Sequence, residues 1–124
     1  PRFINRVLEN KPPIIFGDGE QTRDFTFVKD VVEANILAAE SNAYGVYNIG
    51  RGERISINKL AEIIIQLVGN NIEPVYQEAR SGDVKHSLAD ISRARTFGYN
   101  PKWSLEEGLR ETVNSVCRKV IREE

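Results

Sequence analysis

The first apolar positions recur at helical spacing. Phe3, Ile4, Val7 and Leu8 make one stripe over residues 3–9. Lys11-Pro12-Pro13 ends that stripe, because a proline holds the residue before it extended. Ile14, Ile15 and Phe16 then read as a short buried strand, and Gly17-Asp18-Gly19 as the turn that closes it. Phe25-Thr26-Phe27 alternates its faces like a second short strand. Residues 28–41 predict a helix. Val28, Val31, Val32, Ala38 and Ala39 share one face, and Lys29, Asp30, Glu33 and Glu40 share the other. Asn35 falls inside the apolar arc, either as a packing bridge or as part of an adjoining surface. Gly45 breaks the chain, and Val46-Tyr47-Asn48-Ile49 reads as a strand that ends at Gly50.

In the second half, Arg54-Ile55 continues in extended form. Ser56 suits the N-cap of a helix over 57–68, and Gly69 suits its left-handed stop. Leu60, Ala61, Ile63, Ile64, Ile65, Leu67 and Val68 cover more than half of that helix, so it should be packed on more than one side. Residues 74–77 predict a strand and residues 80–83 a polar loop. Asp90 can cap a short helix over 91–96 that stops near Gly98. Pro101-Lys102-Trp103 is extended. Ser104 and Glu107 form a capping box for a helix running to about residue 121. Its stripe of Leu105, Leu109, Val113, Val116 and Val120 is narrow, as on an outer helix. The tail Arg122-Glu123-Glu124 is expected to fray. Short strands alternating with about four helices give an α/β class, or α+β if the chain is a fragment. No repeat or linker divides residues 1–124.

Composition narrows the function classes. The 17 Lys and Arg residues against 18 Asp and Glu leave a net charge of −1, so nothing global draws the chain to nucleic acid or to an anionic membrane. One cysteine, Cys117, cannot close a disulfide within the chain, and with the single His86 it cannot build a usual structural zinc site. No apolar run approaches the ~18 residues of a membrane span, and no signal peptide is visible. The default compartment is therefore cytoplasmic. The chain opens on Pro1 and contains no methionine, which reads as a fragment or a processed chain.

Chemistry concentrates in Gly17-Asp18-Gly19-Glu20-Gln21-Thr22-Arg23-Asp24. Glycines let backbone approach a ligand closely. Arg23 offers a planar fork suited to phosphate oxygens, and Asp24 could orient it or cap the following helix. The plain alternative is a surface hairpin with an Arg–Asp pair. Arg80-Ser81-Gly82-Asp83 repeats the logic, with a solvated loop as its alternative. Together the two elements could clamp a diphosphate from two sides. His86 could be a base, or a hydrogen-bonded structural residue. No G-x-G-x-x-G and no Tyr-x-x-x-Lys occurs.

Four ordered segments carry a family resemblance. They are Ile15-Phe16-Gly17-Asp18-Gly19-Glu20-Gln21-Thr22-Arg23-Asp24-Phe25 with the residues to Val31, Val46-Tyr47-Asn48-Ile49-Gly50-Arg51-Gly52, Arg80-Ser81-Gly82-Asp83-Val84-Lys85-His86-Ser87 with the residues to Asp90, and Phe97-Gly98-Tyr99-Asn100-Pro101-Lys102-Trp103 with the residues to Leu109. The chain resembles the C-terminal part of NAD-dependent nucleotide-sugar epimerases and dehydratases, the extended short-chain dehydrogenases. It is most similar to UDP-glucose and UDP-N-acetylglucosamine 4-epimerases.

The resemblance implies a UDP-sugar ligand. The backbone of Ile14 and Phe16 would pair with the base edge. Arg23 and Arg80 would hold the diphosphate from opposite sides, and Asp83 would hold the ribose or steady Arg80. It implies NAD in the intact parent and none on this chain alone, because the Rossmann half with its glycine loop and catalytic Tyr-Lys pair is missing. That half is an implied partner, packed on residues 28–50. Without it, exposed apolar patches and self-association into a homo-oligomer are expected. The alternatives are a non-catalytic nucleotide-sugar-binding or assembly module, or part of a nucleotide-sugar dehydratase or decarboxylase.

Overall fold

A computed structural model describes residues 1–122. In chain order the elements are α1 (Arg2–Leu8), β1 (Ile14–Phe16), β2 (Thr22–Arg23), α2 (Val28–Glu40), β3 (Ile55–Ser56), α3 (Ile57–Val68), β4 (Val75–Gln77), α4 (Ser92–Arg95) and α5 (Leu105–Arg122). The described residues thus hold five helices rather than about four, α4 being a single turn. The strands make two separate pairs, β1 with β4 in parallel and β2 with β3 antiparallel. Glu123 and Glu124, the end of the tail expected to fray, lie outside the described residues.

The main core is helical. Ile4 and Val7 of α1, Ile64 of α3 and Val113 of α5 are buried together, with Leu60, Ile65, Leu109 and Val116 packed around them. Helix α3 lies against both α1 and α5, which accounts for its wide apolar arc. Each such side chain stabilises the fold by about 1.5–3 kcal/mol when fully buried. A second cluster joins Ala34 of α2 to Ile91, Ala94 and Tyr99. The buried Tyr99 hydroxyl donates to the Gly50 carbonyl at 2.7 Å, and burial raises its pKa above the usual phenol value.

Helix ends follow local chemistry. Ser56 Oγ accepts from Lys59 N at 3.1 Å, and Gly69 ends α3 at φ 80°. Glu107 accepts from both the backbone N–H and the hydroxyl of Ser104, while Ser104 Oγ accepts from Glu107 N. Asp90 accepts from Ser92 N at 3.0 Å, and its helix begins at Ser92, one residue later than the sequence pattern places it.

Two expected strands fail to form, each for want of a backbone partner. Phe25-Thr26-Phe27 is not a strand; the pairing falls on Thr22 and Arg23, where β3 supplies a partner. Phe27 instead packs on Trp103, with ring centroids 4.8 Å apart. Residues 46–49 form no strand either, since no neighbour pairs with their backbone. Tyr44 and Val46 stand 91% and 81% exposed, and Arg93 donates to the carbonyls of both.

Helix α2 buries the side that carries Asp30 and leaves its valine face exposed, as the expectation of exposed apolar patches has it. Val28, Val31, Val32 and Ile36 are exposed, whereas Asp30 and Ala34 are buried. Asp30 is buried because it accepts from Lys102 N at 2.9 Å and Trp103 N at 3.2 Å, tying α2 to the approach of α5. Asn35 is exposed beside the valines, so it is not a packing bridge. Among the described residues, no helix is long and apolar enough to cross a membrane.

Candidate functional site

Strand β1 sets the floor of the site. Its ladder to β4 uses Pro13 O, which accepts from Val75 N, and Gly17 N, which donates to Gln77 O. Backbone groups alternate direction along a strand. Residues 13, 15 and 17 therefore turn toward β4, and the polar backbone of Ile14 and Phe16 turns toward the opposite edge. There Gln21 Nε2 donates to Phe16 O at 2.7 Å.

The chain reverses after β1 through Gly17 and Gly19, both at positive φ (78° and 76°). Asp18 Oδ1 accepts from Glu20 N and stiffens the turn. The turn delivers Thr22 and Arg23 into pairing with Ser56 and Ile55. Arg23 is consequently fixed at its backbone and aimed by its side chain. Nη1 donates to Thr22 O at 2.8 Å, and Nη2 pairs with Asp83 Oδ1 at 2.5 Å.

Arg80 approaches from the loop after β4. Its guanidinium lies over the Phe16 ring, 3.8 Å from the centroid, a geometry that favours a delocalised cation. Asp83 therefore steadies Arg23 and not the nearer-in-sequence Arg80. Asp24 neither orients Arg23 nor caps α2. Its carboxylate accepts from Arg51 N and Gly52 N at 2.9 Å each and from Ala89 N at 3.3 Å, so it holds two loops together.

Ile14, Phe16, Arg23, Arg80 and Asp83 all line one cavity of about 550 Å3. The structure thus brings together the five residues that the resemblance assigns to nucleotide binding, but not Asp24 or His86. It adds Arg2, Asn5 and Arg6 from α1, and Gln21 and Ile57. The α1 residues escaped sequence reasoning, although their signal was present. Positions 2, 5 and 6 lie three and four apart, on the face opposite the apolar stripe.

Four arginines and one aspartate among the lining residues make the cavity strongly cationic. Arg6 is partly engaged, its Nε donating to Pro12 O at 2.6 Å. Such a site can hold a polyanion and present a peptide edge to a flat heterocycle. A larger apolar cavity of about 720 Å3 adjoins it, lined by Phe25, Phe27, Trp103 and Leu109 and sharing Arg23.

His86 and Cys117 stand apart from this cavity. His86 Nδ1 is 3.0 Å from Thr22 Oγ1, where the two residues bridge β2 to the 80–90 loop, so its place is structural. Cys117 is half-buried against the helical core. A Rossmann fold holds a dinucleotide pyrophosphate on a helix N-terminus behind a glycine-rich turn, whereas the wall of this cavity is made of arginine side chains and a strand edge.

Comparison with known proteins places these features in a family. Residues 1–112 match the family described as GDP-mannose 4,6 dehydratase. UDP-glucuronate 4-epimerase of Thermodesulfobacterium geofontis is 42% identical over 115 residues, which are 91% of this chain and 36% of that protein. The solved UDP-N-acetylglucosamine 4-epimerase of Methanobrevibacter ruminantium M1, in complex with UDP-N-acetylmuramic acid, is 45% identical, with TM-score 0.91 over 96% of this chain and 39% of that one. The UDP-glucuronic acid 4-epimerase of Bacillus cereus, in complex with UDP-glucuronic acid and NAD, is 35% identical, with TM-score 0.88 over 95% and 39% of the two chains. This chain spans little more than a third of the length of these relatives.

Proposed function

The chain belongs to the GDP-mannose 4,6 dehydratase family, and from that premise we propose that it is the nucleotide-sugar-binding portion of an NAD-dependent UDP-sugar 4-epimerase. The observation that carries this reading is the one cationic cavity joining the outward edge of β1 to Arg23, Arg80 and Asp83. A uracil edge presents alternating donors and acceptors, which the turned-out backbone of Ile14 and Phe16 can meet. The diphosphate then reaches Arg23 on one wall and Arg80 on the other. Asp83 orients Arg23 and accepts from a ribose hydroxyl.

NAD, held by the remainder of the intact enzyme, would supply reversible hydride transfer at the sugar. This chain's residues contribute no step of that transfer. Their part is to hold the UDP end so that the sugar can turn while its carrier stays bound. Binding energy far from the reacting carbon then serves catalysis. Residues 28–50 would meet the NAD-binding half through the exposed face of α2. A dehydratase or decarboxylase of the same family would use the same clamp, and the dehydratase description of the matched family favours it as the second reading.

An isotope-edited NMR titration of the chain with UDP, with uridine as the phosphate-free control, tests the clamp. Saturable shifts at Arg23 and Arg80 with UDP, unmatched by uridine, are expected. A well-dispersed spectrum that responds to neither ligand would count against the assignment.

A further inference from the structure

One half-buried polar side chain outside the cavity ties together the turn after β1, strand β4 and the head of α3. Asn58 is the second residue of α3. Its Nδ2 donates to Asp18 O at 3.0 Å and to Glu20 Oε1 at 2.6 Å. Its Oδ1 accepts from the Tyr76 hydroxyl at 2.9 Å. Its backbone N–H donates to Gly19 O at 3.0 Å. Gly19 and Asn58 are interlocked: a Cβ at Gly19 would stand 1.9 Å from Asn58 Oδ1.

These bonds connect the two walls of the clamp. The 18–20 turn leads directly into Arg23. Tyr76 lies on β4, paired with Ile15, and β4 leads into the loop that carries Arg80. The head of α3 follows β3, which pairs with Arg23. Among the described residues, β4 pairs with β1 alone, at three residue positions. A lone three-residue parallel pair is weak, so a side-chain tie from α3 to Tyr76 fixes what the ladder alone would leave loose.

We propose that Asn58, with Tyr76, is a positioning residue that sets the spacing of Arg23 and Arg80 across the anion cavity. This rests on the reading of that cavity as a diphosphate site. Asn58 touches no ligand itself. Two acceptors, Asp18 O and Glu20 Oε1, and one donor, the Tyr76 hydroxyl, call for a side chain that carries both NH2 and C=O at this reach, as an amide does.

The test is a titration of the 124-residue chain and its variants with UDP and uridine, with the arginine Nε–Hε NMR signals followed before any ligand is added. Asn58→Ala should weaken UDP about tenfold and uridine by less than about twofold, as loss of hydrogen bonds that order charged donors predicts. Before ligand is added, the Arg80 Hε signal should also lose the ring-current shift imposed by Phe16. Tyr76→Phe removes one arm of the tie while leaving the turn intact. It should shift both readouts the same way by a smaller amount, and it decides the matter if Asn58→Ala does not fold.

Equal losses for UDP and uridine, or unchanged Arg23 and Arg80 signals in both variants, would overturn the proposal. Wild-type chain that binds UDP no more tightly than uridine would instead remove the diphosphate reading. The ligand-free arginine signals would still report whether Asn58 ties the two walls.

Discussion

Arg23 and Arg80 carry like charge but are held by unlike means. Arg23 is oriented by a carboxylate and a carbonyl, whereas Arg80 rests on an aromatic face. Arg80→Lys keeps the charge and loses both the fork and the stacked plane. It should weaken UDP binding about fivefold or more by isothermal titration, the worth of roughly one charge-assisted hydrogen bond. Binding equal to wild type would mean that Arg80 acts only as a point charge. Asp30 is the corresponding structural case. Asp30→Ala strands two backbone N–H groups in a buried place and should cost about 2–3 kcal/mol in denaturant unfolding. Neither pairing could be read from local spacing. Arg23 and Asp83 lie 60 positions apart, and Asp30 and Lys102 lie 72 apart. Residue types told the chemistry available, and only the fold told who meets whom. The adjacent Arg23-Asp24 pair was the obvious local partnership, and it does not form.

Elements whose ends are set by their own side chains were legible, whereas strands, which need a distant partner, were legible only in part: residues 14–16 and 75–77 form as expected. The start of α3 and the capping box of α5 follow from Ser56, Ser104 and Glu107, because a cap is satisfied within one turn. Strands carry no such internal closure, so Phe25-Thr26-Phe27 and residues 46–49 looked extended yet pair with nothing. Periodicity located the stripe of α2 but not which side the rest of the molecule would cover. The α5 cap makes a pH prediction. Hydrogen bonds from the Ser104 hydroxyl and backbone N–H hold the Glu107 carboxyl below its ordinary value of 4.5. A lowered folded-state pKa stabilises the fold above the unfolded value, and that contribution disappears as pH falls through the folded one. Glu107→Ala should therefore melt below wild type at pH 7. The gap should close as the pH is taken under 4.5, and a gap constant from pH 7 to 3 would contradict the cap.

At the scale of the whole molecule, the described surface is unbalanced. Val28 and Val32 stand half or more exposed on one face of α2, Ile36 nearly so, with Val31 beside them, and Tyr44 and Val46 are exposed as well. Isolated exposed apolar residues are ordinary, but a contiguous set marks a surface that is covered in use. The relatives are more than twice as long as this chain, and our reading assigns this face to their NAD-binding half. If so, the 124-residue chain on its own should associate through α2. Light scattering behind size exclusion should show a mass that rises with concentration. Val32→Glu with Ile36→Lys should return it to a monomer and reduce binding of a hydrophobic dye. The same pair should leave UDP affinity within about twofold, because sites with no shared partners act nearly independently and the arginine cavity draws no lining from α2. A wild-type chain that stays monomeric and binds no dye would show that this face needs no cover. A double variant that loses UDP affinity would show that the face and the clamp are one cooperative unit, with the NAD-binding half supporting the nucleotide site from behind.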